Sequence, residues 1–332
     1  MAEIKSAFFL FPEEAILLIF LVNFLAVFAV GSYRWQAILK AQGCDAGFWT
    51  VVRIKLAGFA MSYITPSAFL FSEPIRAYMI KEEKKYSWEK SFASVIVDQG
   101  ILFVALFFLM AIGFVHFASR FALSPAIFWS FAMLAAFSLS AFYLFYKRIV
   151  RKGEGEEGFF TYLIKKIKLD KAGFVKSNMQ SIASTENVME EFFKKEKKSS
   201  ALVIMLGFLE AFLDASVVFF ACYYLGHTLG VLDSIGIFSF LTFASMIPIP
   251  GALGSFEVIM TLIFDQFGFG KENGLAFSLI YRLVNISFCV IGLGALVHFA
   301  VKTAKDKYSN EAPPALIKVH DFFRKMTSRN SK

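Results

Sequence analysis

The chain has 332 residues, of which 57% are hydrophobic and only 18% charged, with 43 Phe and a mean hydropathy of +0.61. Soluble domains lie near about 45–50% apolar and about 25% charged, and a water-facing surface cannot absorb so many rings without large apolar patches. The composition excludes a soluble enzyme, a disordered chain and a disulfide scaffold, and leaves an integral membrane protein whose outer face is solvated by lipid.

A crossing helix needs about 20 apolar residues. Residues 12–33 are the first such stretch. A lone upstream Lys5, the interrupting Glu13 and Glu14, and the lack of a small-residue cleavage site make it a retained span rather than a signal peptide. Residues 56–72 are apolar but lie between two basic stretches, so a hairpin that enters and leaves on one side fits better than a crossing, with its turn at Thr65-Pro66-Ser67. Full spans follow at about 90–118 and 125–146. Residues 147–199 are polar and lysine-rich, with apolar residues such as Phe159, Ile164, Met189 and Phe192 spaced among the charges. They read either as amphipathic helices on an anionic leaflet or as a plain charged linker. Another span covers 200–225. Residues 231–267 are apolar but broken by Ile247-Pro248-Ile249-Pro250-Gly251-Ala252-Leu253-Gly254, through which no helix runs smoothly. This predicts a second hairpin, from the opposite side, whose broken backbone must be covered by protein or a wet cavity. The last span is about 274–301, and 302–332 is a short basic tail containing Pro313-Pro314.

The net charge is +8, and 30 of the 34 Lys and Arg fall in 34–55, 73–90, 147–198 and 302–332. The positive-inside rule places these stretches in the cytoplasm. The N-terminus is then outside, the C-terminus cytoplasmic, and the membrane the cytoplasmic one. Basic loops of this kind decorate a membrane protein and give no nucleic-acid face. The cysteines Cys44, Cys222 and Cys289 are far apart and read as small apolar residues, with no disulfide or zinc spacing.

Both hairpins share a spacing. Pro66 to Glu73 and Pro250 to Glu257 are seven residues each, and 25 residues further lie Asp98 and Arg282 respectively. The expected fold is therefore all-α and polytopic, an inverted-topology repeat with two re-entrant broken-helix hairpins. A membrane domain over 1–302 would comprise one half at about 12–146 and another at about 200–301, joined by 147–199.

Ionisable residues inside the apolar segments are few: Asp98, Glu210, Asp214, Glu257 and Arg282, with Glu73 and Arg76 near the inner boundary. A charge at the bilayer centre costs about 2.5–3.5 kcal/mol even on the gentlest scale, so each implies pairing, a wet cavity or function. Glu210 and Asp214 share a helical face and together suit a cation or a shared proton. Glu73 and Arg76 are also one turn apart. Arg282 and the half-helix start at Gly254-Ser255 suit an anionic headgroup, or else form a cap beside a Glu–Arg bridge. The four His are scattered, and no catalytic, P-loop or metal motif is present. No catalytic residue, metal or cofactor is expected.

The run from Ser62 to Ile80, then Val97-Asp98-Gln99, Pro248 to Glu257, and Tyr281-Arg282 resemble the flippase-like membrane domain of the lysylphosphatidylglycerol synthases, over about residues 10–302. The usual Asn is Ser62 here, Phe71-Ser72 replace a glycine pair, and Gln99 replaces an Arg. The resemblance implies movement of a polar lipid between leaflets, without the separate soluble aminoacyl-transfer domain. The reading is a flippase for an anionic or amphipathic lipid, a phospholipid or a polyprenyl-phosphate carrier. Glu73, Arg76, Pro250, Gly251, Gly254, Ser255, Glu257 and Arg282 would line the headgroup path. Asp98, Glu210 and Asp214 would balance charge or couple transport to an ion. Two alternatives stand beside it: a scaffold for a separately encoded lipid-modifying enzyme, and an embedded transferase on a polyprenyl-linked substrate.

Overall fold

A computed structural model describes residues 12–65, 72–121, 125–153, 155–171 and 173–311. The described chain is helical. The first helix, α1 (Glu13–Ala41), runs unbroken past Val30 and is widened over Phe24–Val30 into π-helical turns. It is followed by α2 (Phe48–Ile64), α3 (Ser72–Lys84) and the 33-residue α4 (Trp88–Arg120). Next come α5 (Pro125–Phe145), α6 (Phe159–Lys166) and α7 (Gly173–Lys195). The second half contains α8 (Lys197–Tyr224), α9 (Val231–Met246), α10 (Ser255–Gln266) and α11 (Lys271–Glu311). By length and composition α1, α4, α8 and α11 are apolar enough to cross a membrane. The 21-residue α5 matches the remaining predicted span.

The repeat is visible in the element order. A long helix, two half-helices and a second long helix occur twice. Phe48, Ser72 and Trp88 open α2, α3 and α4. Their counterparts Val231, Ser255 and Lys271 each lie 183 residues later. The break in the second hairpin is where the sequence predicts it: α9 ends at Met246, Pro250–Ala252 form one tight turn, and Gly254 takes φ +83° before α10. The turn expected at Thr65-Pro66-Ser67 lies, apart from Thr65, outside the described residues, as does Phe71.

The halves are interleaved rather than side by side. The first hairpin helix, α2, packs along α11 of the other half, and α9 packs along α4, the two most extensive helix contacts among the described residues. Each contact contains a glycine whose position leaves no room for a side chain. A Cβ on Gly292 would sit 2.1 Å from the Leu56 carbonyl oxygen, and one on Gly113 would sit 2.6 Å from that of Ile235. Around these seams Phe28, Phe238, Phe264, Phe277 and Phe288 form a buried ring-rich core.

Residues 147–199 are docked rather than loosely linking. Met189 and Phe192 of α7 are buried with Ile38, Ala93, Val97 and Val203 of the membrane helices. Glu186 caps the start of α6, accepting from the backbone N–H of Phe160 at 2.5 Å and of Thr161 at 3.1 Å, and from the Thr161 hydroxyl at 2.6 Å. The apolar residues Met189 and Phe192 of α7 are thus covered by protein, where the sequence left open contact with the leaflet or a plain charged linker. Cys44, Cys222 and Cys289 are buried free thiols.

Candidate functional site

A cavity of about 210 Å³ lies between the halves, walled by α1, α2, α3, α4, α8, α9 and α11 and by the broken turn of the second hairpin. Its surface is mostly apolar, with Phe59, Phe103 and Phe238 among its walls. Its Lys, Arg, Asp and Glu side chains come from both halves, Lys55 and Arg76 from the first and Glu210 and Asp214 from the second, among uncharged polar groups such as Asn23, Gln99, Tyr281 and Asn285. Such a combination suits a ligand that is apolar over most of its area and charged at one end.

The cations belong to a buried ion network. Arg34 Nε donates to Asp98 Oδ1 at 2.7 Å, and Arg34 Nη1 to Glu210 Oε2 at 2.5 Å. The other Asp98 oxygen accepts from Arg76 Nη2. Lys55 Nζ lies 3.7 Å from Glu210 Oε1 and donates to the Val27 carbonyl at 3.2 Å. Val27 belongs to the π-helical stretch of α1, where widened turns free carbonyls for partners outside the helix. The Arg76 guanidinium stacks on Trp35, 4.2 Å from the ring centroid, a cation–π contact strengthened by desolvation. Arg34, Asp98 and Arg76 are almost wholly removed from solvent, while Lys55 and Arg76 present part of their surface to the cavity. The network leaves Arg34 Nη2, Arg76 Nε and Glu210 Oε1 without hydrogen-bond partners, a high-energy arrangement in a low-dielectric interior.

Two members of this network escaped the sequence reading. Arg34 and Lys55 were counted among cytoplasmic positive charges, but both are buried. Two glycines make room for the cations. A Cβ on Gly31 would fall 2.0 Å from Lys55 Nζ, and one on Gly58 would fall 2.7 Å from Arg76 Cγ. Arg76 turns to Asp98 rather than to Glu73, which accepts instead from the Ser72 hydroxyl at 3.1 Å.

Arg282 is committed elsewhere. Its Nε and Nη2 reach Glu257 Oε1 at 2.8 and 2.6 Å, Nη1 donates to the Gly251 carbonyl at 3.0 Å and Nη2 to that of Ala252 at 3.3 Å. Glu257 Oε2 accepts from the Gly254 N–H at 2.9 Å, and the Ser255 hydroxyl donates to the Ala252 carbonyl at 2.9 Å. Arg282 and Glu257 therefore clamp the broken turn that follows Pro250 and satisfy its exposed backbone. This is the cap-and-bridge arrangement left open by the sequence. Of the expected path residues, Arg76 and Gly251 line the cavity, as do Glu210 and Asp214 of the residues expected to balance charge or couple transport. Asp98 lies behind Arg76, and Glu73 is buried beside Ser72.

Asp214 has a different environment from Glu210, one turn earlier on α8. Its close polar partner is Asn23 Nδ2 at 3.4 Å, and Tyr281 and Asn285 line the same cavity. Among the described residues no three His, Cys, Asp or Glu side chains cluster as metal ligands.

The chain matches the family described as the lysylphosphatidylglycerol synthase TM region over residues 1–292. It is 26% identical over 307 residues to a UPF0104 membrane protein of Methanothermobacter thermautotrophicus, covering 90% of this chain and 89% of that protein. It is 24% identical over 302 residues to a UPF0104 membrane protein of Methanocaldococcus jannaschii, covering 89% and 87%. No solved structure matches. With nearly the whole membrane portion matched, the chain is a multi-pass membrane protein that belongs to the lysylphosphatidylglycerol synthase TM region family.

Proposed function

We propose that the protein is a flippase, moving an anionic or amphipathic polar lipid across the cytoplasmic membrane. The cargo is a phospholipid or a polyprenyl-phosphate carrier. The observation that carries this reading is the cavity itself: an apolar chamber between two hairpins, with Lys55 and Arg76 in its wall. A phosphate oxygen entering it finds two cations on a surface otherwise suited to hydrocarbon, and a guanidinium grips a phosphate through paired N–H groups. In this orientation the basic stretches face the cytoplasm, α2 and α3 open from that side, and α9 and α10 open from the other. Asp98 and Glu210 hold the cations in place. Arg282 and Glu257 keep the second hairpin in shape and act on transport through it.

The test is reconstitution of the purified protein in liposomes carrying a fluorescent phospholipid or polyprenyl phosphate, with dithionite quenching as the readout. Acceleration over protein-free liposomes is expected. Lys55→Met and Arg76→Gln should each slow it by about tenfold or more, the equivalent of about 1.4 kcal/mol in the barrier. Arg120→Gln, at the exposed end of α4, should leave it unchanged. Equal rates with and without protein for both lipids would refute the reading and favour a scaffold for a lipid-modifying enzyme.

A further inference from the structure

The polar segment between the two halves carries two exposed apolar side chains, Ile167 at 61% and Leu169 at 48%. They lie where α6 ends and the chain turns toward α7. Lys168 between them takes φ +60°, the left-handed conformation that commonly ends a helix. The stretch 165–171 holds four Lys and one Asp. Elsewhere in the segment the lysines are paired: Lys152 and Lys194 with Glu190, and Lys195 with Glu191. Lys165 is paired too, with Glu157. Among the described residues, Lys166, Lys168 and Lys171 pair with no carboxylate.

This tip lies at the level of the membrane surface. Two adjacent residues at the start of α4 meet α7 at well-separated points. Glu89 accepts from Ser181 Oγ at 3.2 Å, and Lys90 shares a small cavity with Glu191 and Phe192. The ten residues from Ser181 to Glu191 span about 15 Å of helix, so α7 passes across the end of α4 instead of running along it. Because α4 is one of the crossing helices, α7 lies near the membrane plane. Trp88, one residue before Glu89, is partly exposed at the place in a span where Trp marks the headgroup region. The start of α6 is held at the same level, since Phe159 packs on Phe145 at the end of α5 with ring centroids 5.6 Å apart. With both helices tied there, the tip between them lies beside the headgroups.

We propose that the α6–α7 tip docks into an anionic lipid surface, with Ile167 and Leu169 inserted among the headgroups and Lys166, Lys168 and Lys171 against lipid phosphates. In the orientation taken above, that surface is the cytoplasmic leaflet. The contact itself does not depend on the transport reading. An apolar pair alone does not distinguish lipids by charge, and lysines alone are screened by salt. Apolar side chains ringed by unpaired cations combine the two and favour anionic over zwitterionic lipid. Since α7 carries Met189 and Phe192 against Ile38, Ala93 and Val97, the docked tip holds that helix on the membrane helices from its other end.

The test uses the full-length protein in nanodiscs of phosphatidylcholine, or of an equal mixture with phosphatidylglycerol. Cys44, Cys222 and Cys289 are buried, so a polarity-sensitive maleimide dye reports Leu169→Cys. Acrylamide, an uncharged quencher, measures the dye's exposure to water. Quenching should be weaker and emission bluer in the mixed discs. Raising potassium chloride from about 0.1 M to about 1 M should undo much of that difference. Each unpaired lysine is worth about fivefold in the ratio of docked to free tip. Lys166→Gln, Lys168→Gln and Lys171→Gln combined should therefore lower the ratio about a hundredfold and restore the quenching seen in phosphatidylcholine. Lys194→Gln with Lys195→Gln, at lysines already paired within α7, should leave the protection in place. All these side chains are exposed, so the variants keep the fold. Equal quenching in both lipids would overturn the proposal. So would protection that survives the triple substitution, or that is lost equally in the Lys194 and Lys195 control. Protection without lipid flipping would refute the transport reading and leave the docking standing.

Discussion

Gly31 is the most direct test of the buried ion network. It sits in α1 just after the π-helical turns, with φ −64° and ψ −33°, so alanine fits its backbone without strain. The side chain does not fit. The added Cβ would lie 2.0 Å from Lys55 Nζ and 2.7 and 2.8 Å from the two Glu210 oxygens. Lys55 must therefore leave Glu210 and lose its bond to the Val27 carbonyl. Breaking one side of a buried pair costs about 3–5 kcal/mol, while Ala in place of Gly in a helix returns about 0.5–1 kcal/mol. Gly31→Ala should thus lose about 2–4 kcal/mol, read as a lower midpoint in chemical unfolding from detergent micelles. Gly100→Ala on α4 is the control, since a Cβ there meets nothing within 4 Å. It should stabilise by up to about 1 kcal/mol. Lys55→Met introduced into Gly31→Ala should recover part of the loss, because the charge that cannot be accommodated is gone. If Gly31→Ala and Gly100→Ala shift the midpoint alike, Lys55 is not packed against Glu210 as described.

Gly113→Ala and Gly292→Ala should each destabilise by about 1–3 kcal/mol through overpacking. Their new Cβ atoms meet backbone carbonyls that cannot rotate away, and the same unfolding assay checks them against Gly100→Ala. Glu257→Gln should loosen the broken turn, since Arg282 loses its charged partner while retaining the Gly251 and Ala252 carbonyls. Hydrogen exchange across 247–254 should rise by about tenfold or more, with exchange in α2 unchanged. Arg282→Gln should do the same and more strongly, because it also frees the two carbonyls. A protected turn in both variants would remove the clamp from the account.

The spans and both hairpins were legible because their signals are local. About 20 apolar residues mark a crossing, and two Pro and two Gly within seven residues interrupt one. The equal Pro-to-Glu spacings pointed to the repeat, which the helix starts then reproduce. The shared distance of 25 residues holds different chemistry in the two halves: it joins Glu257 to Arg282 as an ion pair, whereas Glu73 and Asp98 are both carboxylates, and Asp98 pairs with Arg34 and Arg76. Arg34 and Lys55 were missed because the positive-inside rule counts cations near span ends without showing which side of an interface they take. A usable signal was present. No Pro or turn sequence separates Arg34 from the apolar run before it, or Lys55 from the one after it. Each therefore continues a helix and does not belong to a loop. Docking of α7 was illegible for a different reason: an amphipathic face looks the same whether lipid or protein covers it.

The interleaving limits how the cavity can open. A rocking motion of one sequence half against the other, as two rigid bodies, would separate α2 from α11 and α9 from α4 at once. Both seams are sealed by glycine contacts too close to slide without loss. It would also pull Glu210 from Arg34 and Lys55, leaving charges unpaired in a low-dielectric interior. The units that can move while keeping their packing are different ones: α2 carried with α11, and α9 carried with α4. Between these units the Arg282 clamp ties α11 to the broken turn between α9 and α10. The clamp is less buried than the Arg34–Glu210 pair and can exchange partners with water at lower cost than the glycine seams can slide, so opening of the cavity should run through the clamp while both helix pairs stay intact.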